Sequence, residues 1–99
     1  MDVRKPRHDL GKFKAAMRRN LAATRAAIEG AAALGIDSRD IADFLGTIER
    51  THFVKSTTAK FDHRKWQDVY NVPLGSLVVY VKFTDSMLTE FQLLSLKEK

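Results

Sequence analysis

The sequence predicts an α+β domain, with N-terminal helices packed on a C-terminal antiparallel β-sheet. Residues 8–50 are rich in Ala and Arg, which favour helices. Residues 51–99 are richer in Val, Phe, Thr, Tyr and Trp, which favour strands. A chain of 99 residues, 44% of them hydrophobic, supports a single domain over 1–99 with one modest core.

Pro6 suits a position before or at a helix start, and Asp9 is an N-cap for a first helix over 10–19. Leu10, Phe13, Met17 and Leu21 form its apolar stripe, and Asn20 is a candidate breaker. A second, alanine-rich helix is expected over 22–34, ending at Gly35, with a small face that can lie close to a neighbour. Asp37-Ser38 opens a third helix with Ile41, Phe44, Leu45 and Ile48 at helical spacing. These stripes read as core. Residues 53–58 form a short strand, and 64–70 alternate as a strand does. Asn71-Val72-Pro73-Leu74-Gly75 carries turn chemistry. Ser76 to Phe83 is a strand with Val79, Val81 and Phe83 on one face and Val78, Tyr80 and Lys82 on the other. A turn begins at Thr84-Asp85-Ser86. Residues 88–97 return antiparallel, with Leu94 and Leu96 opposite Phe91, Leu93, Ser95 and Lys97 by strict alternation. Tyr80 and Lys97 can share one face, depending on register.

The chain has no cysteine, which excludes disulfides, thiolate metal sites and cysteine nucleophiles and suits a reducing cytosol. It has no apolar run long enough to span a membrane, and no apolar signal core follows its basic N-terminus. A cytoplasmic location, with no membrane association, is therefore expected. The net charge of +5 favours an anionic partner. It is concentrated in residues 1–25, where eight Lys and Arg face two Asp for a net +6, and the remainder sums to −1. A solvated helical face explains the same pattern without nucleic acid.

Standard catalytic patterns are absent. The five glycines are scattered, so no phosphate-binding loop is present. His8, His52 and His63 lack metal-site spacing, and no metal or cofactor is expected. Asp62-His63 is adjacent in sequence, but neighbours in a strand point to opposite faces, and a loop histidine with structural hydrogen bonds is the simpler reading. No serine sits in a nucleophile elbow. What remains is a set of Lys, Gln, Tyr, Trp and Arg residues on the C-terminal sheet. Such a surface suits RNA, because cations hold phosphates and rings stack bases. By spacing alone the ordinary reading is stronger, with Trp66 and Tyr70 as core aromatics and Lys55, Lys82 and Lys97 as solvated strand residues.

Five segments change that balance: Phe53-Val54-Lys55-Ser56-Thr57-Thr58, Asp62-His63, Trp66-Gln67-Asp68-Val69-Tyr70, Val79-Tyr80-Val81-Lys82 and the ending Ser95-Leu96-Lys97-Glu98-Lys99. Together, in this order, they resemble the MqsR family of motility quorum-sensing regulator toxins. Lys5-Pro6, Leu10, Lys14 and Ala33-Leu34-Gly35-Ile36-Asp37 match in kind. The departures are a longer final hairpin near 84–90 and a shortening near Asn20-Leu21. The resemblance implies a RelE-like toxin fold and an mRNA interferase that favours GC-containing sites. It also implies a partner antitoxin with a zinc domain and a helix-turn-helix domain. Its cleavage residues map onto Lys55, Gln67, Tyr80 and Lys97, and Lys82, Trp66 and Arg64 are expected to add RNA contacts.

RNA brings its own nucleophile, the 2′-hydroxyl, so the protein needs only to align it, take its proton, steady the phosphorane charge and help the 5′-oxygen leave. In this scheme Lys55 and Lys97 stabilise phosphate charge, and one of them carries a proton if burial lowers its pKa. Tyr80 donates or relays a proton, and Gln67 orients the phosphate. The competing reading is a non-catalytic nucleic-acid- or protein-binding module, in which the basic helices touch phosphates and the sheet is plain core.

Overall fold

The computed structural model describes residues 1–99. In chain order the elements are β1 (Asp2–Val3), α1 (Leu10–Arg19), α2 (Arg25–Ala33), a 3-10 turn at Ser38–Asp40, α3 (Ile41–Gly46), a 3-10 turn at Arg50–His52, β2 (Phe53–Ala59), β3 (Asp62–Leu74), β4 (Leu77–Ser86) and β5 (Glu90–Glu98). The strands form one antiparallel sheet in sequential order, and the helices cover one of its faces. The α+β expectation holds.

The first helix begins and ends where its caps dictate. The Asp9 side chain accepts a hydrogen bond from the Lys12 N–H, and Asn20 leaves helical geometry at the other end. Its apolar stripe lands on the sheet, with Phe13 stacked on Phe83 at a ring separation of 3.7 Å. Phe13, Met17, Ile41, Leu45, Tyr70, Val81, Phe83 and Leu96 are among the fully buried side chains of the common core. Burial of each large side chain contributes about 1.5–3 kcal/mol.

The second helix starts at Arg25, later than the composition suggests, because residues 22–24 serve a different purpose. The Thr24 side chain caps α2 by accepting from the Ala27 N–H. Ala22 O accepts from the Leu93 N–H, and the Thr24 N–H donates to Leu93 O. The segment therefore runs beside β5 and covers part of that exposed edge. At the far end Gly35 adopts φ +78°, its N–H bonding Ala32 O while the Ile36 N–H bonds Ala31 O. The small face of α2 does lie close to a neighbour. A Cβ on Gly30 would stand 2.0 Å from Leu96 O. The third helix is shorter than expected, because the Asp37 side chain accepts from the Arg39 N–H and tightens the first turn to 3-10 geometry. Ile48 lies beyond α3 yet is fully buried.

Several strand boundaries differ from the sequence reading. Asn71 to Leu74 is not a turn but the end of β3, and Leu74 pairs with Leu77 around Gly75-Ser76, with Gly75 at φ +59°. Pro73 is tolerated because β3 has lost its β2 neighbour beyond Tyr70 and is bonded on one side only. Thr84 to Ser86 continues β4, since the buried Thr84 hydroxyl donates to Trp66 O and Lys65 Nζ donates to Asp85 O. The β4–β5 turn lies at Met87–Thr89. β1 carries no sequence signal, because two residues show no readable alternation. Asp2 pairs with Thr57 and Val3 with Ser56.

Alternation also fails at two places that matter for the open face. Phe53 pairs with Tyr70 and Lys55 with Val69, so Val54 is an extra residue in β2. Lys82 pairs with Ser95 and Phe83 with Leu93, so Leu94 is an extra residue in β5. Each is a β-bulge, and beyond it the strand's residues face opposite to the way counting by twos would place them. The strict alternation expected for 88–97 is thereby corrected, with Phe91, Leu93 and Leu96 all facing the core.

Candidate active site

The sheet face away from the helices gathers the polar residues. Successive cross-strand pairs place Lys55, Val69, Lys82 and Ser95 in one row across β2 to β5. One step along the strands, Thr57, Gln67, Thr84 and Gln92 form a second row. On the other side lies a third, Asn71, Tyr80 and Lys97. Paired residues of antiparallel strands share a face at Cβ distances near 5 Å. Lys55, Gln67, Tyr80, Lys97 and Lys82 therefore occupy one contiguous surface.

The two flanking lysines reach this surface through the bulges. Phe53 faces the core, its ring 5.5 Å from that of Tyr70 in an edge-to-face contact. In a regular strand Lys55, two residues on, would share that facing. Leu93 likewise faces the core, and unbroken alternation would turn Lys97 inward with it. Val69 is 1% exposed although no helix covers it. Its immediate neighbours in the row are Lys55 and Lys82, whose aliphatic stems can shield it while their ammonium groups stay wet.

The three lysines differ in their surroundings. Lys55 Nζ lies 3.4 Å from an Asp2 carboxylate oxygen, so β1 supplies a counter-charge. That carboxyl is held below its usual range, first by a hydrogen bond with Thr57 and then by the Lys55 contact. Lys97 Nζ lies 5.6 Å from the centre of the Tyr80 ring. Lys82 is half-buried and has no carboxylate partner. Burial, then Lys97, then Lys55, hold its pKa below the ordinary lysine value. Asn71, read from sequence as part of a turn, sits opposite Tyr80 with Oδ1 buried and unpartnered. A shallow cleft of about 260 Å³ beside Lys55 is lined by Asp2, Val3, Arg4 and Val54.

Trp66 and Arg64 do not join this surface. Trp66 shares its side of β3 with Asp68 and Tyr70, and the Arg7 guanidinium lies 4.3 Å over its ring. Arg64 stands at the turn end of the β2–β3 hairpin, paired with Asp62 at 3.3 Å. His63 is an exposed residue of β3 with no structural hydrogen bond, not a loop histidine. The residue that sequence reasoning undervalued is Asp68. Fully buried, its carboxylate accepts from the Arg7 and His8 N–H groups at 3.0–3.2 Å and from the Ser56 hydroxyl. It ties the N-terminal segment to the sheet behind the open face. A single acidic residue in an otherwise apolar alternation was the available signal. Nowhere do three or more His, Cys, Asp or Glu side chains gather in a metal-holding group.

Residues 5–98 match the family described as Motility quorum-sensing regulator, toxin of MqsA. The chain belongs to this family. It is also 36% identical over 76 residues to the mRNA interferase toxin MqsR of Escherichia coli (strain K12), covering 77% of this chain and 76% of that one. The family match spans every strand that contributes to the open face, from β2 to β5.

Proposed function

We propose that this toxin-family member is an endoribonuclease that cleaves mRNA at GC-containing sites through the 2′-hydroxyl, without a metal ion. The observation that carries the reading is the meeting of Lys55, Gln67, Tyr80 and Lys97 on the helix-free face, in a chain similar to an mRNA interferase toxin. A broad face suits an extended polymer better than a small substrate, and its cations supply the charge that phosphoryl transfer needs. Lys55 and Lys97 flank the surface and hold the scissile phosphate. Gln67 orients it, and Tyr80 protonates the departing 5′-oxygen. The lysine-rich donor set supports chemistry by positioning and charge. The antitoxin partner, proposed to carry a zinc domain and a helix-turn-helix domain, neutralises the protein in the cytoplasm.

The test is incubation of antitoxin-free protein with a defined mRNA in excess EDTA, with mapping of the new ends. Discrete cuts near GC, bearing 2′,3′-cyclic phosphates and lost in Lys55→Ala, are expected. Intact but retarded RNA from folded protein would overturn the reading in favour of a binding module.

A further inference from the structure

The open face carries a third lysine whose position differs from that of the other two. Lys82 stands at the middle of the row, with Lys55 two strands away across Val69 and Lys97 on the adjacent strand, diagonal to it. Resting on the ribonuclease reading, we propose that Lys82 is a catalytic residue, the base that takes the 2′-hydroxyl proton, while Lys55 and Lys97 remain protonated and hold the phosphate.

The geometry separates the roles. Lys55 has the Asp2 carboxylate beside it, and Lys97 is exposed at the sheet edge over the Tyr80 ring. Both environments suit a permanent cation. Lys82 is half-buried with cations on two sides and no carboxylate contact. The groups facing it are Lys55 from β2, Gln67, Val69 and Asn71 from β3, Ser95 and Lys97 from β5, and Tyr80 and Thr84 on its own strand. None of these is acidic, and the Asp2 carboxylate beside Lys55 is engaged by that lysine. Desolvation and the two neighbouring ammonium groups all act to release its proton. Substrate phosphate would oppose that release, but two flanking lysines are present to absorb its charge.

The step balances without another reagent. The neutral Lys82 amine accepts the 2′-hydroxyl proton as that oxygen bonds to phosphorus. The bond from phosphorus to the 5′-oxygen breaks, and the Tyr80 hydroxyl gives that oxygen a proton. The products are a 2′,3′-cyclic phosphate and a 5′-hydroxyl. The Lys82 ammonium then returns a proton through solvent to the Tyr80 phenolate, restoring both groups.

Lys82→Arg keeps the positive charge but not the ability to lose it. The expected result is cleavage reduced by about 10²-fold or more, with affinity for an RNA carrying a 2′-deoxy group at the cut site held within about threefold, since the phosphate contact persists. Lys82→Gln should lose cleavage similarly, and circular dichroism checks the fold of both. In wild-type protein labelled with ¹³C-lysine, the Lys82 Cε resonance should titrate below the ordinary lysine value. Lys55→Met should move that titration upward, together with the acidic limb of the residual cleavage rate. Lys82→Arg cleaving at the wild-type rate, or losing cleavage only in proportion to binding, would overturn the proposal. So would a Lys82 titration indifferent to Lys55→Met. Wild-type protein that cuts no RNA would overturn the ribonuclease reading itself, which the cleavage assay distinguishes from a failure confined to Lys82.

Discussion

Tyr80 on β4 and Lys97 on β5 are direct cross-strand partners on the open face, with the Lys97 ammonium 5.6 Å from the centre of the tyrosine ring. The pair joins the last strand to its β4 neighbour at the point where the leaving oxygen is proposed to depart. Tyr80→Phe removes the proton and leaves the ring packing intact. Cleavage is expected to fall by about 10²-fold or more, with RNA affinity little changed. Lys97→Ala should weaken both, and more steeply at low salt, since it removes a phosphate contact. Single-turnover cleavage and equilibrium binding on the same RNA separate the two effects.

Gly30 lets α2 lie close against the β5 backbone. A methyl group there would press on the Leu96 carbonyl, which is backbone and has no rotamer to yield. Gly30→Ala should cost about 1–3 kcal/mol, measured by urea unfolding. It should also slow cleavage in the fraction that remains folded, because Leu96 precedes Lys97 and any shift of β5 moves that lysine away from Tyr80.

Tyr70 is wholly buried between Phe53 and Phe83, and its hydroxyl has no hydrogen-bond partner. Burial first, then the Asp68 charge, push its pKa up to about 12 from an ordinary value of 10.0. The folded state therefore keeps a proton that the unfolded chain surrenders between those values. This contribution is fully present below pH 10 and is lost as pH rises toward 12. Tyr70→Phe should be neutral or stabilising at pH 7, because it removes an unsatisfied buried group. It should also flatten the decline of thermal midpoint in that alkaline window.

Glu90 opens β5 at φ +68°, in the left-handed region that glycine adopts without penalty. Its carboxylate meets Arg19 at 2.8 Å, but both side chains are more than half exposed and the pair is worth little. Relief of roughly 1–2 kcal/mol of backbone strain outweighs that pair. Glu90→Gly is expected to raise the thermal midpoint by several degrees for a domain of this size, read by calorimetry, with cleavage unchanged.

Much of the architecture was legible because local chemistry and tertiary context agreed. Asp9, Gly35 and the apolar spacing of Leu10, Phe13 and Met17 announced their helices and boundaries, and Val79, Val81 and Phe83 announced the core side of β4. Context overrode local chemistry in the turn expected at Asn71 to Gly75. Turn-forming residues continue a strand there because β4 offers a partner and β2 has already ended. The start expected for α2 at Ala22-Ala23-Thr24 gave way to strand-like pairing with Leu93 for a similar reason, since an uncovered sheet edge was available. In the site, the residue types and the gathering of Lys55, Gln67, Tyr80 and Lys97 followed from the resemblance. The displacement of Trp66 to the other side of β3 could have been read from its parity with Asp68 and Tyr70. The environment of Lys82 could not, because it depends on side chains from three strands whose register the sequence leaves open.

The bulges at Val54 and Leu94 leave two strands one residue longer than their partners require. That surplus is slack in the register. Loss of Val54 or Leu94 would restore regular pairing, with Lys55 still opposite Val69 and Lys97 still opposite Tyr80. Local twist would relax, but the lysines would stay outside. An added residue beside either bulge has no such remedy, because the strand would have to hold two unpaired residues or turn its lysine inward. Tolerance to changes of length in β2 and β5 is therefore lopsided. Shortening by one can pass unnoticed, while lengthening by one could silence a toxin with every reactive group still in its sequence.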